Sequence, residues 1–404
     1  MAKILKKIKV EYIQILFLFI LIYEMIIKRT FKYDNILIIS IIGATLYRNK
    51  KIYFDKDSKK LYTLIVINTV IFLLSYYKVL KLNNFILDER FDMLNSIVFK
   101  GFLLFLIGLN LNIGYEKIRY IVPFVCIASI SPLIKVTNFG LKYGFFRDRI
   151  IGLWGNPNYV GFVLGLITIF CVIAIVCFQE RLAKIIGVIF GSWSFFLLLA
   201  VSQSRNAILS VLVSLVVLFS VYSLKLKINK KKFFLIVFLF SSLIAIVLKL
   251  NQRFKSLFFI DDLLKDGRTQ ILKTTLEILK DNDSILLGKG FSFYFNNLSI
   301  GYEKLSSFHN DYIELLINHG VIGIFFYLLL SFYILYLIIK NIKYNTFESN
   351  TFSILALLLW IYIFILGQFD NVIYSNRVFE MAYLIFGLSI GENYKNDKKD
   401  KKIP

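Results

Sequence analysis

The chain's two histidines, His309 and His319, fall in one stretch. It reads Ser307-Phe308-His309-Asn310-Asp311-Tyr312-Ile313-Glu314 and runs on into Asn318-His319-Gly320-Val321-Ile322-Gly323. An imidazole gives and takes a proton near neutral pH, so it can act as a general base or hold a substrate hydroxyl. His309 stands where a long polar segment turns back into an apolar run. On a helix, His319 would lie about 80° round from it and about 15 Å along. At that separation the two do not share a metal ion, and His319 reads as a packing residue.

Two arginines are the matching cations. Arg205 follows Ser202-Gln203-Ser204 and precedes Asn206-Ala207, while Arg268 follows Asp266-Gly267. Each is expected at the start of a helix, where free N–H groups favour anions. A guanidinium fork also grips phosphate oxygens through two parallel hydrogen bonds. The sequence has no nucleophile elbow, Walker loop, His-x-x-x-His or Cys-x-x-Cys. A metal-free reaction without cofactor, with arginines as the cations, is the expectation.

A helical bundle in a membrane must position these residues. The 404 residues are 58% hydrophobic with a mean hydropathy of +0.70, against ~45–50% apolar in soluble proteins. The apolar residues form runs of about 20, the length that crosses a bilayer. They lack the period-two alternation of a barrel strand. The fold class expected is all-α and polytopic, with twelve transmembrane helices. They are predicted over 10–27, 34–47, 61–80, 94–113, 118–134, 158–178, 184–201, 206–224, 233–250, 312–339, 351–367 and 375–391. Pro123 and Pro132 should kink the fifth. Cys126, Cys171 and Cys177 lie in apolar runs and read as small packing residues without a disulfide.

A net charge of +22 invites a nucleic-acid partner. Its Lys and Arg, however, come in short clusters between apolar runs, the pattern that orients a membrane protein and touches membrane lipids. Lys3, Lys6, Lys7 and Lys9 precede the first run, and no small-x-small cleavage site follows, so an uncleaved first helix is expected. With that end cytoplasmic, basic residues on short inner segments outnumber those on short outer ones about twofold. Both termini are then cytoplasmic.

This orientation gathers the specific polar residues outside: Arg147, Asp148 and Arg149, then Gly155-Asn156-Pro157-Asn158, Ser202–Asn206 and Gln368-Phe369-Asp370-Asn371. By segment, 1–250 holds the first nine helices. An external loop over 251–311 carries an amphipathic helix at 266–281, ended by Asp281-Asn282-Asp283. Residues 312–391 hold the last three helices, and 392–404 form a basic cytoplasmic tail.

In this pattern the chain resembles the O-antigen ligase and polymerase superfamily of bacterial envelope enzymes. Ser202-Gln203-Ser204-Arg205 is similar to the family's Ser/Thr-x-Ser/Thr-Arg element. Gly267-Arg268, with the loop helix and Leu287-Gly288-Lys289-Gly290, is similar to its second arginine element. His309-Asn310-Asp311-Tyr312 with Gly320-Val321-Ile322-Gly323 is similar to its His-Asn…Gly-x-x-Gly element. One departure stands out: many members have an acidic residue where this chain has Asn318.

The resemblance implies a glycosyltransferase of the bacterial cytoplasmic (inner) membrane that takes a sugar chain from undecaprenyl diphosphate and gives it to an acceptor hydroxyl. His309, Arg205 and Arg268 are the catalytic candidates. Arg147, Arg149, Asn158, Ser204, Asn310 and Asp311 are the substrate-binding candidates. The expected activity is polymerisation of lipid-linked repeats into O-antigen, capsular or exopolysaccharide. A chain-length regulator and a flippase are the accompanying partners. The runner-up is a ligase that hands the glycan to lipid A core or another acceptor. A lipid-oligosaccharide transporter is the alternative from another class.

Overall fold

The computed structural model describes residues 2–27, 34–49, 56–82, 89–111, 119–146, 156–226, 275, 277, 282–291, 299–300, 303–304, 308–344, 350–373 and 376–400. Helices dominate them. The first three are α1 (Ala2–Ile27), α2 (Asp34–Asn49) and α3 (Lys56–Leu82). Then come α4 (Glu89–Leu94), a π-helical stretch Asn95–Phe102 and α5 (Leu103–Asn110), followed by α6 (Ile121–Ala128) and α7 (Ile130–Tyr143). Next are α8 (Pro157–Cys177), α9 (Arg181–Leu197), a π-helical turn Leu198–Ser202 and α10 (Arg205–Leu226). The chain continues through α11 (Asn282–Leu287) and a two-residue antiparallel ladder, Ser299–Ile300 with Glu303–Lys304. It ends with α12 (Asp311–Tyr344), α13 (Thr351–Gly367) and α14 (Asn376–Asp400).

Six helices among the described residues are long and apolar enough to cross a membrane. The most apolar, α8, has a mean hydropathy of 3.0 and is 83% buried over its best window. A helix apolar on every side must be surrounded by others, so α8 is the bundle's central element. At 21 residues it is about 32 Å long, matching a hydrocarbon core of about 30 Å.

Contacts near the helix ends show successive helices running in alternate directions. At one end, Lys340 Nζ meets Asp57 Oδ2 at 2.8 Å and Arg119 Nη2 meets Glu180 Oε1 at 2.7 Å. At the other, Phe146 N donates to Ala200 O at 2.8 Å and Arg377 Nη1 to Met25 O at 3.3 Å. The second end gathers residues 156–158, 200–206, 308–314 and 368–373.

Some boundaries differ from the expectation. The fifth predicted helix runs on to Tyr143 instead of ending at 134. Its inward face continues through Leu133, Val136 and Gly140, all buried, and Trp193 Nε1 donates to Thr137 Oγ1 at 2.9 Å. The break between α6 and α7 falls at Ser129 (ψ −8°). Pro132 lacks the N–H that would reach the Ala128 carbonyl. Asn282 and Asp283, expected to end a helix, stand inside α11. The last helix runs to Asp400 rather than 391. The predicted helix at 233–250 lies outside the described residues; of the one at 266–281, only Thr275 and Glu277 are described, both helical.

Helix α12 is two helices joined at a break. Gly320 has φ 69° and ψ −173°, which interrupts the ladder. Asp311–His319 is therefore a short polar prelude, and the apolar crossing runs from about 321 to 344, roughly 36 Å.

Candidate active site

Four segments build the site. The first is the start of α8. Asn156 caps it: its side chain accepts from Asn158 N at 2.8 Å, and Pro157 takes the first helical position. This entry turns Asn158 toward the bundle, where its Nδ2 donates to Asp370 Oδ2 at 2.6 Å.

The second is the junction of α9 and α10. The π-helical turn ends at Gln203, held in the left-handed region (φ 50°, ψ 28°), and Arg205 then opens the next helix. Ser202 and Ser204 pack against Gly161 of α8, where a Cβ would stand 2.5 Å from both Ser202 Oγ and Ser204 Cβ. Ser204, expected to bind substrate, is thus buried in a helix crossing. Arg205 is partly exposed on the first turn, and Asn206 Nδ2 donates to Phe369 O at 3.3 Å.

The third is the turn into α12. His309 also lies in the left-handed region, at φ 48°. Asn310 caps the helix, its Oδ1 accepting from Tyr312 N and Ile313 N at 3.0 Å. Its Nδ2 donates to Gln368 O at 2.8 Å. Asp311, expected to touch substrate, is buried and turned to protein. It accepts from Val372 N at 3.0 Å and Ile373 N at 3.2 Å. Glu314, one turn on and fully buried, accepts from Asn371 Nδ2.

The fourth segment, Gln368–Ile373 after α13, supplies a residue that sequence reasoning left without a role. Asp370 Oδ1 lies 3.3 Å from His309 Nδ1. The side chain of Asp370 is 7% exposed and that of His309 is 39% exposed, so the ring reaches solvent while its partner does not. An ionised Asp370 takes the hydrogen bond from Nδ1–H. That leaves Nε2 unprotonated and able to accept a proton. The 3.3 Å separation is long, as is common before substrate tightens such a contact. Arg205, Asp311 and Pro157 all begin helices here, so three helix N-termini lend this end positive potential.

Of the residues singled out in the sequence, Arg205, Asn158, Ser204, His309, Asn310 and Asp311 gather at this end. Arg147, Arg149 and Arg268 lie outside the described residues. His319 packs elsewhere: it is 2% exposed, with its ring centroid 4.2 Å from that of Phe72 and 5.8 Å from that of Phe291. Asn318 is buried at the helix break, where its carbonyl accepts from Ser75 Oγ at 2.8 Å and Gly290 N at 3.1 Å. The carboxylate beside His309 comes from another element. The Gly320 break seats the 286–290 segment, and a Cβ on Gly320 would stand 2.2 Å from Leu286 O.

Comparison with known families matches residues 190–328 to a family described as O-antigen ligase. The matched segment contains both Arg205 and His309. No curated protein matches the chain.

Proposed function

We propose that this membrane protein of the O-antigen ligase and polymerase superfamily is a polymerase of lipid-linked glycans. The growing chain on undecaprenyl diphosphate is the donor, and a hydroxyl on the next lipid-linked repeat is the acceptor. The carrying observation is the His309–Asp370 pair at the same end of the bundle as the Arg205 turn.

In this reading His309 Nε2 takes the acceptor proton. The acceptor oxygen bonds to the anomeric carbon, and the bond from that carbon to the phosphate oxygen breaks. Undecaprenyl diphosphate leaves with the electron pair. Charge develops on that leaving group, so preorganised cations at Arg205 and Arg268 stabilise the transition state more than the ground state. Asp370 holds the imidazole in the required tautomer and steadies the imidazolium that forms, while Asn158 holds the other carboxylate oxygen. Arg147 and Arg149 are assigned to binding the glycan. The working face is external, and no metal takes part.

A ligase is the second reading, favoured by the matched family's description. A deletion strain separates the two. Loss of a polymerase leaves single repeats transferred to the cell surface, whereas loss of a ligase strands polymer on its carrier. Polymer formed by purified protein from lipid-linked repeats would eliminate a transporter. Removing one guanidinium should lower turnover by roughly 10²–10³-fold, so Arg205→Ala or His309→Ala with wild-type polymer would overturn the assignment.

A further inference from the structure

The first turn of α12 grips the 368–373 loop at four points: Asn310 on Gln368 O, His309 on Asp370, Glu314 on Asn371, and Asp311 on the N–H groups of Val372 and Ile373. Only one of these contacts involves the reactive ring. Asp311 spends both carboxylate oxygens on backbone, 2% exposed, with Gly367 close enough that a Cβ there would stand 2.8 Å from its Oδ2. Burying a carboxylate is costly unless hydrogen bonds satisfy it, so its place here needs a reason beyond solubility or helix capping. Asn310 already caps the helix.

We infer that Asp311 is a positioning residue. Together with Glu314, which takes the Asn371 side chain, it clamps residues 371–373 and so fixes Asp370 against His309 Nδ1. The clamp fits the local order of the chain. Residues 371–373 follow Asp370 directly, and Asn371 N donates to Asp370 Oδ1 at 2.9 Å, so slack in the Val372 and Ile373 N–H bonds is slack in the carboxylate. Asn310 fixes the other side of the same residue through Gln368 O. Asp370 is thereby pinned along the chain on either side, as a partner that sets ring orientation must be.

The inference rests on the proposed role of the His309–Asp370 pair, and its test has an arm that does not. Hydrogen exchange on the purified full chain reads the loop directly. In Asp311→Asn, one acceptor for the backbone is lost, and the Val372 and Ile373 amides should exchange about tenfold faster with the rest of the bundle unchanged. Unchanged exchange there overturns the clamp, whatever the enzyme does. The second arm is turnover of lipid-linked repeats. Asp311→Asn should lower kcat about 10-fold or more with little change in KM, and the loss should vanish in an Asp370→Asn background. A loss that adds in full to that of Asp370→Asn overturns the positioning role. Should Asp311→Asn fail to fold, Glu314→Gln, which weakens the hold on the Asn371 side chain, is read in turnover and in exchange of the Asn371 amide, which donates to Asp370 Oδ1. A wild-type protein that transfers no glycan defeats the proposed function and leaves the exchange arm to decide the clamp.

Discussion

In the proposed role His309 acts through Nε2, because Asp370 faces Nδ1. Replacing Asp370 by Asn tests this directly. An amide N–H pointing at Nδ1 favours the opposite tautomer, putting the proton on Nε2 and removing the base. Turnover should fall about 10³-fold or more, with the melting temperature little changed; a near-normal rate for Asp370→Asn would exclude the tautomer role. The sequence places Asp370 among the outer polar residues but hides its pairing with His309, because the two lie 61 residues apart and share no local pattern. His309 and Arg205 were legible because each sits in a short polar motif beside an apolar run. Asp311 shows the converse: its type and position suggested substrate contact, yet only tertiary packing could reveal that loop N–H groups had taken both of its oxygens.

Among the elements, the predicted helices agree with the described ones mostly to within a few residues, because a bilayer-length apolar run is a strong signal. What the runs could not show is where polar residues join or break a helix. The Asp311–His319 prelude is polar enough to read as loop and apolar enough to read as membrane helix, and it is decided by Gly320. Gly320→Ala places a Cβ against Leu286 O in a left-handed conformation that only glycine adopts freely. It should destabilise the protein by about 1–3 kcal/mol, visible as a lowered melting temperature of purified protein in detergent. Gly43→Ala makes no demand on φ and its Cβ would meet nothing within 4 Å, so an equal or larger loss there than at Gly320 would refute this account of the break. The π-helical turn Leu198–Ser202 is likewise absent from any hydrophobic pattern, yet it aims the Arg205 turn at the site. Such turns recur at functional sites.

For the whole molecule, charge and helix direction together yield an orientation that can be measured. Lys60 and Lys142 are both exposed, the first near the start of α3 and the second near the end of α7, at opposite ends of the bundle. The charge pattern puts the Lys60 end in the cytoplasm. In intact cells a membrane-impermeant maleimide should label Lys142→Cys and spare Lys60→Cys until the cells are opened. The reverse pattern would turn the protein over and place the proposed site inside. The native cysteines are buried and should not contribute background.

The unequal burial of the two imidazoles gives this protein a built-in chemical count. A histidine-acylating reagent meets a ring with a 39% exposed side chain at position 309 and one only 2% exposed at position 319. One equivalent should therefore be taken up rapidly and the second only on unfolding. If His309 is the base, activity should vanish in step with that first equivalent, and a bound lipid-linked donor should slow both together. The reagent thus titrates competent sites, so that turnover in any detergent or lipid can be expressed per working molecule.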